Sequence, residues 1–197
     1  MRSRILAVIL TLFICTGTSY SHPHVFADVS LEVVYDGKGF AGLHNVWTYD
    51  EMYSAAMLAA VDENADGKIS GKEIEAIKNA ILGPIRKNNY FNYVLAGTDF
   101  LKVMDIADFK VSMSGRKLVL DFKSVFSLSS HADWTMLVVV VADPTNYVQM
   151  TSDMENASVE SPENIEVEYF SDGLQGLTLF RAFRSDVEGL FLRFKNK

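Results

Sequence analysis

Two groups of residues in this chain have types and spacings suited to holding a metal ion. The longer is residues 62–73, DENADGKISGKE, where Asp62, Asn64 and Asp66 place oxygens at loop positions one, three and five. Gly67 follows at six, Ser70 at nine and Glu73 at twelve, which is the ligand spacing of an EF-hand calcium loop. A hard divalent cation takes roughly six to eight oxygens at about 2.3–2.6 Å, so a short loop must wrap it and donate from alternate residues. Lys68 at position seven lends only its backbone carbonyl, Gly67 permits the positive φ of the turn, and Ile69 at eight is an apolar plug. The alternative is an acidic turn between two helices, which does not require six specified positions. No second loop of this kind is found in the chain, and a lone site is often weaker or wholly structural, so the segment reads as a calcium-filled clip rather than a sensor.

The second group is His22-Pro23-His24, and its chemistry depends on export. Arg2 and Arg4 precede an apolar run over residues 5–15, and Ser19 and Ser21 stand three and one residues before a cleavage point. This is the layout of a secretory signal peptide spanning residues 1–21. The run of about eleven apolar residues falls short of the ~20 needed to cross a bilayer. Cys15 does not mark a lipoprotein, because Ile14 stands where a small residue is needed. Cleavage after Ser21 removes the one cysteine, so disulfides and thiolate metal sites are not expected in the remainder. It also joins a free α-amine to the imidazoles of His22 and His24, a nitrogen-donor set suited to Zn²⁺, Ni²⁺ or Cu²⁺. Pro23 has no N–H to surrender, which closes the square-planar mode that uses deprotonated amides. The further histidines, His44 and His131, are candidates to complete the set. Otherwise His22 and His24 cap a frayed strand end, and His44 is a hydrogen-bonded core or surface residue.

The elements that must position these groups follow from periodicity. Alternation over 25–35, a DGKG turn and a return over 40–48 predict a hairpin, which sets His24 opposite the Asp50-Glu51 region. Met52, Tyr53, Ala56, Met57, Ala60 and Val61 recur at helical spacing, with Thr48 and Glu51 as a capping box. Ser70 and Glu73 form a second box opening the next helix, which Gly83-Pro84 should end. Strands are expected over 90–95, 100–103, 109–113, 117–122, 146–151 and 165–170. The apolar run at 134–142 reads as a strand buried on both faces, and 152–164 as a polar surface loop. Phe180, Phe183, Val187, Leu190, Phe191 and Phe194 at helical spacing, among Arg181, Arg184, Arg193, Lys195 and Lys197, predict a basic amphipathic C-terminal helix over 177–197. Such a helix either packs on the sheet or touches a membrane surface or membrane-bound partner.

The chain has 197 residues, 49% hydrophobic and 22% charged, the balance of a folded domain. Its 18 basic groups oppose 25 acidic ones, and removing Arg2 and Arg4 deepens that excess, which argues against nucleic acid as a partner. The expectation is an α+β fold, mainly antiparallel sheets arranged as a sandwich. It forms one domain over 22–197 with the EF-hand inserted at about 49–83. No nucleophile elbow, phosphate loop or HExxH is present, so an enzyme is not expected. A histidine-brace copper oxidase is the enzymatic alternative, and it lacks a clear third histidine.

Five segments together resemble one family: HPHVFADVSLEVVYD at 22–36, HNVWTYDEMYS at 44–54, the calcium loop, NYFNY at 89–93 and DPTNYV at 143–148. It is a bacterial family of periplasmic proteins of unknown function, commonly labelled periplasmic components of ABC-type transport, and it includes the soluble half of the ZevAB zinc-utilisation pair. The likeness covers about residues 22–170. It implies a periplasmic accessory working beside a polytopic membrane transporter of the nickel and cobalt exporter type, in the handling of zinc or a related metal.

Overall fold

The computed structural model describes residues 25–62, 66–184 and 186–197. The proposed signal peptide, His22, His24 and Asn64 lie outside the described residues. Alternation governs the first hairpin. In β1 (Val25–Asp36) every second residue from Val25 to Tyr35 is buried, and in β2 (Gly39–Tyr49) Leu43, Asn45, Trp47 and Tyr49 face the same way. Their antiparallel register pairs Ala27 with Tyr49 and Glu32 with His44. The chain then leaves this sheet through α1 (Glu51–Val61), the calcium-type loop and α2 (Gly71–Ile85), followed by a 3-10 turn at Arg86–Phe91.

Next come β3 (Asn92–Ala96), β4 (Asp99–Leu101), β5 (Asp105–Ser114), β6 (Lys117–Ser129), β7 (Thr135–Val141) and β8 (Val148–Ser152). Last are β9 (Ser158–Glu160), β10 (Ile165–Gly173) and β11 (Glu188–Asn196). One sheet has the order β5-β6-β2-β1-β8, with β9 also on β1; the other runs β10-β11-β7-β3-β4. All pairings are antiparallel except those of β1 with β8 and β9. The helical pair is therefore the crossover between two sheets, and the expected α+β sandwich with an inserted helix-loop-helix is the fold observed.

The two sheets close on an aromatic core. Trp47 of the first sheet meets Phe122 edge-on at 4.9 Å between ring centres, and Tyr35 meets Phe194 of the second sheet at 5.1 Å. Ile77, Ile81 and Leu82 of α2 join the same core. The expectation that β7 is buried on both faces holds only toward its end: Leu137, Val139 and Val141 face the sandwich and Val140 packs on the other side with Leu95, Leu174 and Phe180, but Met136 on that outer side is exposed.

Several local expectations are corrected. The C-terminal residues form no amphipathic helix: a 3-10 turn at Thr178–Phe180 leads to β11, whose Leu190, Leu192 and Phe194 are buried between β10 and β7. A membrane contact through such a helix lapses with it. The pattern at 180–194 fitted both periods, and the open place beside β7 selects the strand. The first helix is capped by Asp50 rather than Thr48, because β2 continues through Tyr49. Pro84 lies inside the last turn of α2, which ends at Ile85. The stretch 152–164 is more than a surface loop, since β9 pairs with β1 and Met154 and Ala157 are buried.

Candidate metal sites

The loop between the helices is organised from Asp62. Its Oδ2 accepts the Gly67 N–H at 2.9 Å and its Oδ1 the Asp66 N–H at 3.3 Å, while Asp66 Oδ1 accepts the Lys68 N–H at 2.8 Å. Gly67 holds φ +71 with nothing near the place of a Cβ, so glycine is needed there for the backbone bend and not for space. Ile69, half-buried, packs against the main core as the expected plug. At the far end Glu73 Oε2 accepts the Ser70 N–H at 2.8 Å and the Ser70 hydroxyl at 3.3 Å, forming the predicted capping box.

Glu73 is only 8% exposed and has no cationic side chain in an ion pair among the described residues. A nearly buried carboxylate of that kind calls for a positive charge, and position twelve is where the calcium loop supplies its bidentate oxygen pair. The residues fit the ion. Asp62, Asp66, the Lys68 carbonyl, Ser70 and Glu73 are the described donors that would hold Ca²⁺, and Asn64, at loop position three, is the sixth donor in the sequence pattern. No cluster of three or more His, Cys, Asp or Glu side chains is drawn together to hold an ion among the described residues.

The root of the amino-terminal segment is tied to this unit. Asp50 Oδ1 accepts the Tyr53 N–H at 2.9 Å, capping α1, while Oδ2 accepts the Phe26 N–H at 3.0 Å. The Asp50 N–H in turn donates to the Phe26 carbonyl at 3.0 Å. Burial alone would raise the Asp50 pKa, but the N–H groups of Tyr53 and Phe26 outweigh it and hold the carboxyl below its ordinary value. The first residues of β1 are thus clamped to the helix that enters the calcium-type loop. The expected placement of His24 opposite the Asp50-Glu51 region lies outside the described residues; the first described contact with Asp50 is that of Phe26.

His44 belongs to a different place. It projects from the outer face of the first sheet between two carboxylates: Nδ1 lies 3.2 Å from Glu32 Oε2 and Nε2 lies 2.8 Å from Asp121 Oδ1. Partial burial opposes the charged ring, yet the bonds to Asp121 and Glu32 prevail and raise its pKa. Because His44 pairs with Glu32, seven residues along β1 from Val25, it stands about 23 Å down the strand from the root of the amino terminus. His131 follows β6 at the end where Ser129 pairs with Gly39, opposite the end where β1 begins. The structure therefore brings neither histidine to the first described residue. Glu32 and Asp121 were not among the sequence candidates. Their only signal was an outward-facing carboxylate on each strand, which becomes a site only when three strands are in register.

Among known proteins, the model of the family described as "Protein of unknown function (DUF1007)" matches residues 7–170. No curated protein matches the chain.

Proposed function

Because the chain belongs to this family of unknown function, DUF1007, we propose its role from its own residues: an exported metal-binding accessory of a membrane metal-transport system, stiffened by calcium. The observation that carries this reading is the clamp from Phe26 through Asp50 to the helix entering the 62–73 loop. Calcium held by that loop would lock α1, and α1 would fix the base from which His22 and His24 extend. Rigid presentation of a small nitrogen-donor set, open to solvent, suits an ion that must be passed on and not trapped. The compartment is the periplasm, by the signal-peptide pattern of residues 1–21. The partner class, a polytopic transporter of zinc, nickel or a related ion, rests on the resemblance to the soluble half of the ZevAB zinc-utilisation pair.

The test is calorimetry on protein beginning at His22, titrated with Zn²⁺, Ni²⁺, Cu²⁺ and Ca²⁺. One transition-metal ion per chain is expected to bind, and one added residue before His22 should abolish that binding by removing the amine–imidazole chelate. Equal affinity with and without the added residue overturns the chelate. A second reading, a calcium-stabilised interaction module with no transition-metal role, is favoured by the separation of His44 and His131 from the start of β1. It predicts heat from Ca²⁺ alone.

A further inference from the structure

The strand edges of the sandwich are guarded unequally. Edge strand β5 is broken by a bulge between Ala107 and Lys110, with Asp108 at φ +54. β10 carries Glu166 and Glu168, and β4 is three residues long. Bulges, charges and brevity are the devices that keep an edge from pairing with another chain. β8, reading VQMTS, carries no charge, proline or register shift.

The direction of its unpaired groups can be read from its ends. The Val148 N–H donates to Asp143 Oδ2 at 3.0 Å, away from β1, and the Asp153 N–H donates to the Val29 carbonyl at 3.3 Å, toward β1. Alternation then turns Gln149 and Thr151 toward β1. It points the Val148 carbonyl, both backbone groups of Met150 and the Ser152 N–H outward. No described residue takes these outward groups. They face a cavity of about 280 Å³ that touches every residue of β8, and its other wall is the end of β7 with Asp143, Asn146, Arg184, Asp186 and Glu188. Contact with all five consecutive residues means that the strand's edge, and not one of its faces, lines the space.

The charged groups of that wall are mostly engaged. The Asp143 carboxylate accepts from the N–H groups of Thr145, Tyr147 and Val148 and from the Thr145 hydroxyl. Arg184 pairs with Asp186 and donates to Asn146 Oδ1 at 3.2 Å. Glu188 alone is a carboxylate with no ion pair or hydrogen bond among the described residues. We propose that this groove receives an extended segment of a partner protein, which adds to β8 as a further strand and sets a lysine or arginine against Glu188. Main-chain bonding to an edge supplies the affinity in this mode and flanking side-chain contacts supply the choice of segment. A second copy of the chain is a poorer occupant. β8 has no cation to offer Glu188, and an edge recessed behind Arg184, Asp186 and Glu188 cannot meet another recessed edge. The inference does not depend on either metal site.

The probe is the acetylated, amidated hexapeptide Val-Lys-Val-Lys-Val-Lys added to the whole chain, followed by backbone amide NMR. Binding is expected to move and protect the amides of Met150 and Ser152 while leaving those of Gln149 and Thr151 in place. N-methylation of the peptide at alternate residues, tried in both registers, should weaken binding at least tenfold in one register. Glu188→Gln should weaken the lysine peptide about tenfold and leave a Val-Thr repeat unaffected. The proposal is overturned by unperturbed Met150 and Ser152 amides, by equal binding of both N-methylated peptides, or by loss of those amides to a concentration-dependent dimer. Because only the peptide is altered in the N-methyl arm, its result does not depend on any variant folding.

Discussion

At the scale of single residues, His44 holds two carboxylates that it can serve together only while protonated. A neutral imidazole has one N–H, so on deprotonation either Glu32 or Asp121 loses its donor. The folded-state pKa is raised above the ordinary 6.5. The stabilisation is therefore complete below about 6.5 and is lost as pH rises through the folded value. With the ring about one-third exposed, solvent screening keeps the effect small. Titrating the His44 ring by NMR should show the raised value, and Asp121→Asn should lower it while leaving the fold intact; an unchanged titration would remove Asp121 from the account. Asp50 runs the other way. Its pKa is lowered, so its contribution is present above the unfolded value and fades as pH falls through the folded one. Asp50→Ala removes a helix cap and the anchor of Phe26 together, and should cost at least the ~1–2 kcal/mol of a lost cap in urea unfolding at neutral pH. Neither contact was legible beforehand. Thr48 and Glu51 already satisfied the capping-box spacing, and the partners of His44 lie twelve and seventy-seven residues away in sequence.

At the scale of elements, legibility followed the range of the interactions. The calcium-type pattern lies within twelve residues, so its spacing, glycine, plug and second capping box could all be read locally, and Gly67, Ile69 and the Ser70–Glu73 box are found where the pattern puts them. The C-terminal segment shows the opposite case. Its apolar residues satisfy a helical period and, over Leu190, Leu192 and Phe194, also a strand period; the choice was made by β7 and β10, which leave one strand's width between them. The loop carries its own prediction. Ca²⁺ at one hundred times its dissociation constant should stabilise the chain by about 2.7 kcal/mol, raising the thermal midpoint. Glu73→Gln keeps an oxygen for the Ser70 N–H, so the metal-free midpoint should move little, while the loss of the bidentate carboxylate should abolish most of the calcium shift. A variant that still responds fully to Ca²⁺ would take the ion away from this loop.

At the scale of the whole molecule, the family match and the fold do not end together. The match stops at residue 170, inside β10, yet β11 lies beyond it and stands between β10 and β7 in the second sheet. Residues 188–196 are thus an interior strand. They pair along their length with Ile165–Gly173 on one side and with β7 on the other. They also bring Phe194 against Tyr35 of the facing sheet. Without them β10 has no strand to bind, Leu137 and Val139 lose their cover, and the aromatic contact that joins the sheets has one partner. Had these residues formed a peripheral docking helix, removing them would leave the sandwich whole. A chain ended after residue 187 distinguishes the two arrangements: it should lose cooperative urea unfolding and expose apolar surface to a hydrophobic dye. Phe194→Ala in the full chain should fold but lose about 3–5 kcal/mol, the usual cost of truncating a buried phenylalanine. A truncated chain that unfolds cooperatively at an unchanged urea midpoint would mean that β7 and β10 close the second sheet without β11.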